Sequence, residues 1–157
     1  ADVLEKLRGE DLTEVRKKAI EHLNQFNLST TLVVTLQKGE NDDEIGKIIE
    51  YALQQKCVRG VTFQPTQVAG RNKDYDDKVG RITLTEVRRK IYEQYPIFTP
   101  EDLIPVPCNP DALCMAYALK IDDEVLPMTH LINPYDLLNN SKNTFLFFSY
   151  SSISFSV

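Results

Sequence analysis

Residues 29–71, STTLVVTLQKGENDDEIGKIIEYALQQKCVRGVTFQPTQVAGR, constrain the fold most. Residues 30–36 are uncharged and rich in β-branched side chains. Such a run reads as a strand buried on both faces, as in parallel sheets. Asn41 is the expected helix N-cap, with Glu44 three residues on as its capping-box partner. Ile45, Ile48, Ile49 and Leu53 then fall on one helical face. Residues 60–64 read as the next strand, closed by Pro65. A strand–helix–strand unit of this length calls for a right-handed parallel crossover. Both strands stop at polar or Gly/Pro-bearing loops, the end of a parallel α/β sheet where active sites sit. The unit therefore points to a piece of an enzyme barrel rather than a free-standing binding module.

Around it the pattern is mixed α/β. A first helix is expected from about Leu12 to Phe26, with Asp11 as N-cap and Glu14 as box partner. Its inward stripe would be Val15, Ala19, Leu23 and Phe26, with Asn27 as a left-handed stop. Residues 66–80 read as a loop. Thr83 opens another helix through a T-x-x-E box that runs to about Gln94, ahead of Pro96. Thr99-Pro100-Glu101-Asp102 reads as a capped helical turn. Residues 115–121 and 125–132 flank an acidic turn, Asp122-Asp123-Glu124, and read as a β-hairpin. The rival reading is a helix from Pro110, capped by Asn109, with Cys114 inside it.

Composition excludes several classes. A net charge of −5 argues against a general nucleic-acid or anionic-membrane surface. No stretch is apolar enough to span a bilayer. Three cysteines without a small-domain spacing argue against a secreted disulfide scaffold and for a reducing, cytoplasmic setting. Both ends read as cut. The opening dozen residues look like a loop after an earlier strand, and 145–157 turn abruptly to Phe and Ser with no charge. As folded material that tail would be an aggregation-prone strand.

The segments LRGEDL, TTLVVTLQKGENDDEIG, VRGVTFQPTQVAGR, ITLTEVRRKI and IPVPCNPDALCMAYALK together resemble a radical SAM family. The branch is the one similar to archaeal tetraether lipid synthase and its bacterial homologues. The resemblance implies the later half of a partial (β/α)6 barrel over residues 1–75. Residues 76–144 would be a C-terminal helix and β-hairpin extension, and 145–157 an atypical tail. It further implies a full-length enzyme that uses a [4Fe–4S] cluster and S-adenosylmethionine to make a 5′-deoxyadenosyl radical. That radical would abstract hydrogen, and a lipid-like substrate would form a carbon–carbon bond. The family's C-x3-C-x2-C cluster motif is absent here and would lie upstream, so the chain alone is expected to be inactive.

The resemblance also nominates residues. The loop Lys38-Gly39-Glu40-Asn41 would border the adenosine, with free N–H groups before Asn41 facing the ligand; the plain reading is an ordinary βα loop. Gln64 and Pro65 would pack on adenine, with Val61 and Phe63 as apolar neighbours. Arg71 would face the cofactor carboxylate or a phosphate-bearing substrate. Thr35 and Thr62 would point into the barrel. Cys108 and Cys114 are the sharpest local signal, a Pro-flanked cysteine and a second one six residues on. They suit a thiolate cluster site with further ligands elsewhere, where the family carries auxiliary iron–sulfur centres. The departure is Ala112, where another cysteine is expected, and the plain reading is two inert buried thiols. No acid–base pair or nucleophile stands out, as expected when a cofactor carries the chemistry. Two other readings compete: a non-catalytic α/β adaptor that binds a partner through its acidic surface, and a metal-independent aldolase-like barrel.

Overall fold

The computed structural model describes residues 5, 9–67, 75–106, 109, 111–140 and 152–156. Among them a mixed sheet carries helices packed into one core. Helix α1 (Thr13–Gln25) leads to β1 (Thr30–Leu36), α2 (Ile45–Gln54) and β2 (Val58–Pro65). A single turn, α3 (Asp77–Gly80), precedes α4 (Leu84–Gln94), a 3-10 turn at Pro100–Asp102 and the short β3 (Ile104–Pro105). The hairpin β4 (Cys114–Ile121) and β5 (Glu124–Pro127) follows, then a 3-10 turn at Met128–His130, α5 (Pro134–Asn140) and β6 (Ser152–Ser156). The sheet order is β1-β2-β6-β4-β3, with β5 beside β4.

The crossover reading holds in its essentials. β1 pairs parallel to β2, with Leu32 opposite Val61, Val34 opposite Phe63 and Leu36 opposite Pro65. Leu36, Val61 and Phe63 are fully buried. Ile45, Ile49, Ala52 and Leu53 of α2 enter the same core, as do Val87 and Ile91 of α4 and Cys114, Ala116 and Ala118 of β4. Lys120 on β4 donates to the carbonyl of Leu53 at the last turn of α2, where a cation also meets the negative end of the helix dipole.

Several expectations need correction. β1 is not buried on both faces: Thr31 is exposed and Val33 is 55% exposed, because only one face of the strand meets the core. The stripe of α1 is rotated. Val15 and Phe26 are exposed, while Ile20 and Leu23 pack on the core and Asn24 reaches across to Gln55 and the N–H of Cys57. Asp11 accepts from the N–H of Thr13 but is not the cap: the helix is entered at Leu12 without a side-chain cap, and Glu14 pairs with Lys17 instead of closing a box. Asn27 does adopt a left-handed φ of 48°. Asn41 does not cap α2, which starts at Ile45 after a run of turns. The hairpin forms and the rival helix does not, with Asp122 at φ 55° in its turn. Its second strand ends at Pro127, so His130 lies in the following 3-10 turn. The tail supplies β6, which runs parallel to β2 and antiparallel to β4.

One close approach sets the spacing of α2 and α4. A Cβ on Gly46 would sit 2.5 Å from the carbonyl oxygen of Gln94 and 2.9 Å from its Cβ. In an ordinary helix Gly→Ala gains up to about 1 kcal/mol. Here the clash is with backbone, so Gly46→Ala is expected to destabilise the chain by about 1–3 kcal/mol, read as a lowered urea midpoint at unchanged slope.

Candidate functional site

The carboxyl ends of β1 and β2 meet at one edge, where Thr35 lies opposite Gln64 and Leu36 opposite Pro65. Thr35 and Pro65 are half-buried and Gln64 is exposed. Thr66 closes the end of β2 by donating its N–H and its hydroxyl to the carbonyl of Leu36. Tyr75 donates its hydroxyl to the carbonyl of Thr66, and its ring packs against Gly80.

The loop after β1 was expected to offer free N–H groups, and it does not. Lys38 N–H donates to the carbonyl of Gly80, and the N–H groups of Glu40 and Asn41 donate to that of Gln37. Gly39, at φ 77°, donates its N–H to the Asp42 carboxylate at 2.8 Å. Asn41 spends both ends of its amide inside the loop: Oδ1 accepts from the N–H of Gln37 and Nδ2 donates to the carbonyl of Thr35. The loop is a closed hydrogen-bonded knot rather than an anion nest, and Glu40, Asp42, Asp43 and Glu44 make it acidic.

Helix α4 holds that knot. Glu86, Lys90 and Gln94 recur every fourth residue and so share one helical face. Glu86 pairs with Lys38, Lys90 with Asp42 at 2.9 Å, and Gln94 donates to the Asp42 carbonyl while accepting from the Gly46 N–H. Burial works to raise the Asp42 pKa, but Lys90 and the Gly39 N–H outweigh it and the carboxyl is held below its ordinary value. The Lys38 ammonium is the leading cause that pulls Glu86 down to about 2, helped by the N–H and hydroxyl of Thr83 in the capping box. Lys38 thus sits at the expected edge with its charge already engaged.

Of the two nominated metal ligands, Cys108 lies outside the described residues, as does Arg71. Cys114 is fully buried at the start of β4, and burial pushes its thiol up to about 11. It is a neutral core side chain of the kind free cysteine commonly is. Cys57 is buried likewise. Among the described residues no three His, Cys, Asp or Glu side chains gather as a metal site.

Sequence reasoning missed a polar hub. Asp102 is 2% exposed. Its Oδ2 accepts from the N–H and hydroxyl of Thr99, and its Oδ1 accepts from the Thr129 hydroxyl and lies 3.5 Å from Nε2 of His130. The T-x-x-D spacing signalled the local cap. Nothing in the sequence signalled the distant turn that the carboxylate also holds.

No family model matches the chain. A curated relative, a 7,8-dihydro-6-hydroxymethylpterin dimethyltransferase of Methanocaldococcus jannaschii, is 39% identical over 103 residues, 64% of this chain. The match spans 20% of that protein's length, so the chain covers about a fifth of the relative. The match supports the radical SAM superfamily and not the tetraether lipid synthase branch. No helix among the described residues is long and apolar enough to cross a membrane.

Two outcomes test this geometry. A carboxylate with a depressed folded pKa contributes stability above its unfolded value and loses it as pH falls through the folded one. Wild-type stability should therefore fall between the ordinary glutamate value near 4.5 and about 2. Glu86→Gln should be less stable at neutral pH and flatter across that window in chemical denaturation; an unchanged pH slope would remove the pair from the account. Cys114 should resist iodoacetamide at pH 8 in the native chain and react once unfolded, followed by mass spectrometry, because the thiolate is the nucleophile.

Proposed function

We propose that this chain is part of a radical SAM enzyme and contributes late strands and helices of a partial (β/α)6 barrel together with a C-terminal extension. The observation that carries the reading is the 39% identity over 103 residues to a pterin dimethyltransferase. The parallel β1–α2–β2 unit supports it, since both strands end at one edge. The outer edge of β1, unpaired among the described strands, suits a further barrel strand. The relative's name favours methyl transfer to a reduced pterin over coupling of a lipid-like substrate as the reaction of the whole protein. A cytoplasmic setting belongs to the same reading, and the adaptor and aldolase alternatives gain no support from the match.

A [4Fe–4S] cluster with S-adenosylmethionine would supply the radical that abstracts hydrogen from an unactivated carbon. The described residues do not fit the cluster: they offer no group of three ligands, and Cys57 and Cys114 are core thiols. The reading therefore assigns the cluster ligands to residues outside this chain. An auxiliary cluster on Cys108 and Cys114 belongs to the same reading, and it would have to reach Cys114 at the buried start of β4. What the chain offers the cofactor is the strand edge, Thr35 and Gln64 side by side with Pro65 as an apolar surface, and Arg71 stays the nominated partner for an anionic group. Lys38 and Asn41 act one step back, shaping the loop that borders this edge.

The test uses a full-length protein that carries this segment, reconstituted without oxygen. Iron and sulfide content and EPR after dithionite reduction are measured with and without S-adenosylmethionine. A cluster whose signal responds to S-adenosylmethionine and survives Cys114→Ala is the expected result. A parent with no cluster sinks the radical SAM reading, and loss of a second cluster signal in Cys108→Ala or Cys114→Ala makes those thiols ligands after all. Gln64→Ala should weaken S-adenosylmethionine binding by roughly 5–10-fold, the loss of about one hydrogen bond, with iron content unchanged.

A further inference from the structure

We draw no further inference here: the strongest candidate, the outer edge of β1 around the exposed Val33, unpaired among the described strands, carries nothing beyond the barrel reading already proposed, because nothing in the structure shows what covers it.

Discussion

The Gln94 side chain bridges two main-chain groups at the first turn of α2, donating to the carbonyl of Asp42 and accepting from the N–H of Gly46. This bridge fixes where α4 lies against α2, and only a residue without a Cβ at position 46 allows it. The consequences run in both directions along α4. One turn earlier, Lys90 reaches the Asp42 carboxylate, and a further turn earlier Glu86 reaches Lys38. The three contacts hold the β1–α2 loop on the face of a helix that enters the chain forty residues later. The same helix buries Val87 and Ile91 in the core beneath β1 and β2, so loop and core share one support.

The contributions are unequal. Lys38 and Glu86 are both partly exposed, and pairs of this kind contribute little, on the order of 0–1 kcal/mol. The Gln94 bridge and the Asn41 amide matter more, because each satisfies main-chain groups that are partly shielded from water. Leaving such a group unpaired costs about 1–3 kcal/mol, more than the bond itself contributes when made. The order of importance is therefore Asn41 and Gln94 first, the Asp42–Lys90 pair next and Lys38–Glu86 last. Shape in this loop rests on amides rather than on charge.

What was legible in the sequence follows from range. β1 was bounded at the residues where it occurs, 30–36, since seven uncharged, mostly β-branched residues leave little choice. The capping box at Thr83 and Glu86 fixed the start of α4, and the Thr99–Asp102 turn followed from the same local logic. Asn27 and the acidic hairpin turn were equally local. The failures are non-local. Asn41 looked like a helix cap because Asn, Asp and Glu cluster there, yet its amide is taken by the end of β1 before the helix begins. The hairpin's second strand was drawn too long because the carboxylate of Asp102, twenty-seven residues back, holds Thr129 in a turn. The stripe of α1 was misplaced because Asn24, a polar residue, is the one that reaches Gln55 and Cys57.

These corrections move the candidate site. A Gly-bearing loop before a helix invites an anion only when its N–H groups are free to turn outward. Here Gly39 adopts the left-handed conformation such loops use, but it turns its N–H onto an acidic side chain of its own loop. Asp42 is itself buried and paired with Lys90, and the exposed ammonium of Lys38 is engaged by Glu86. The main-chain donors of the loop are therefore spent within the protein itself. The strand ends differ in this respect: Thr35 and Gln64 stand side by side, their spacing set by the parallel ladder rather than by loop conformation. α4 thus spends three side chains on fixing the loop beside these strand ends, and the loop's position is set by that helix rather than by its own sequence.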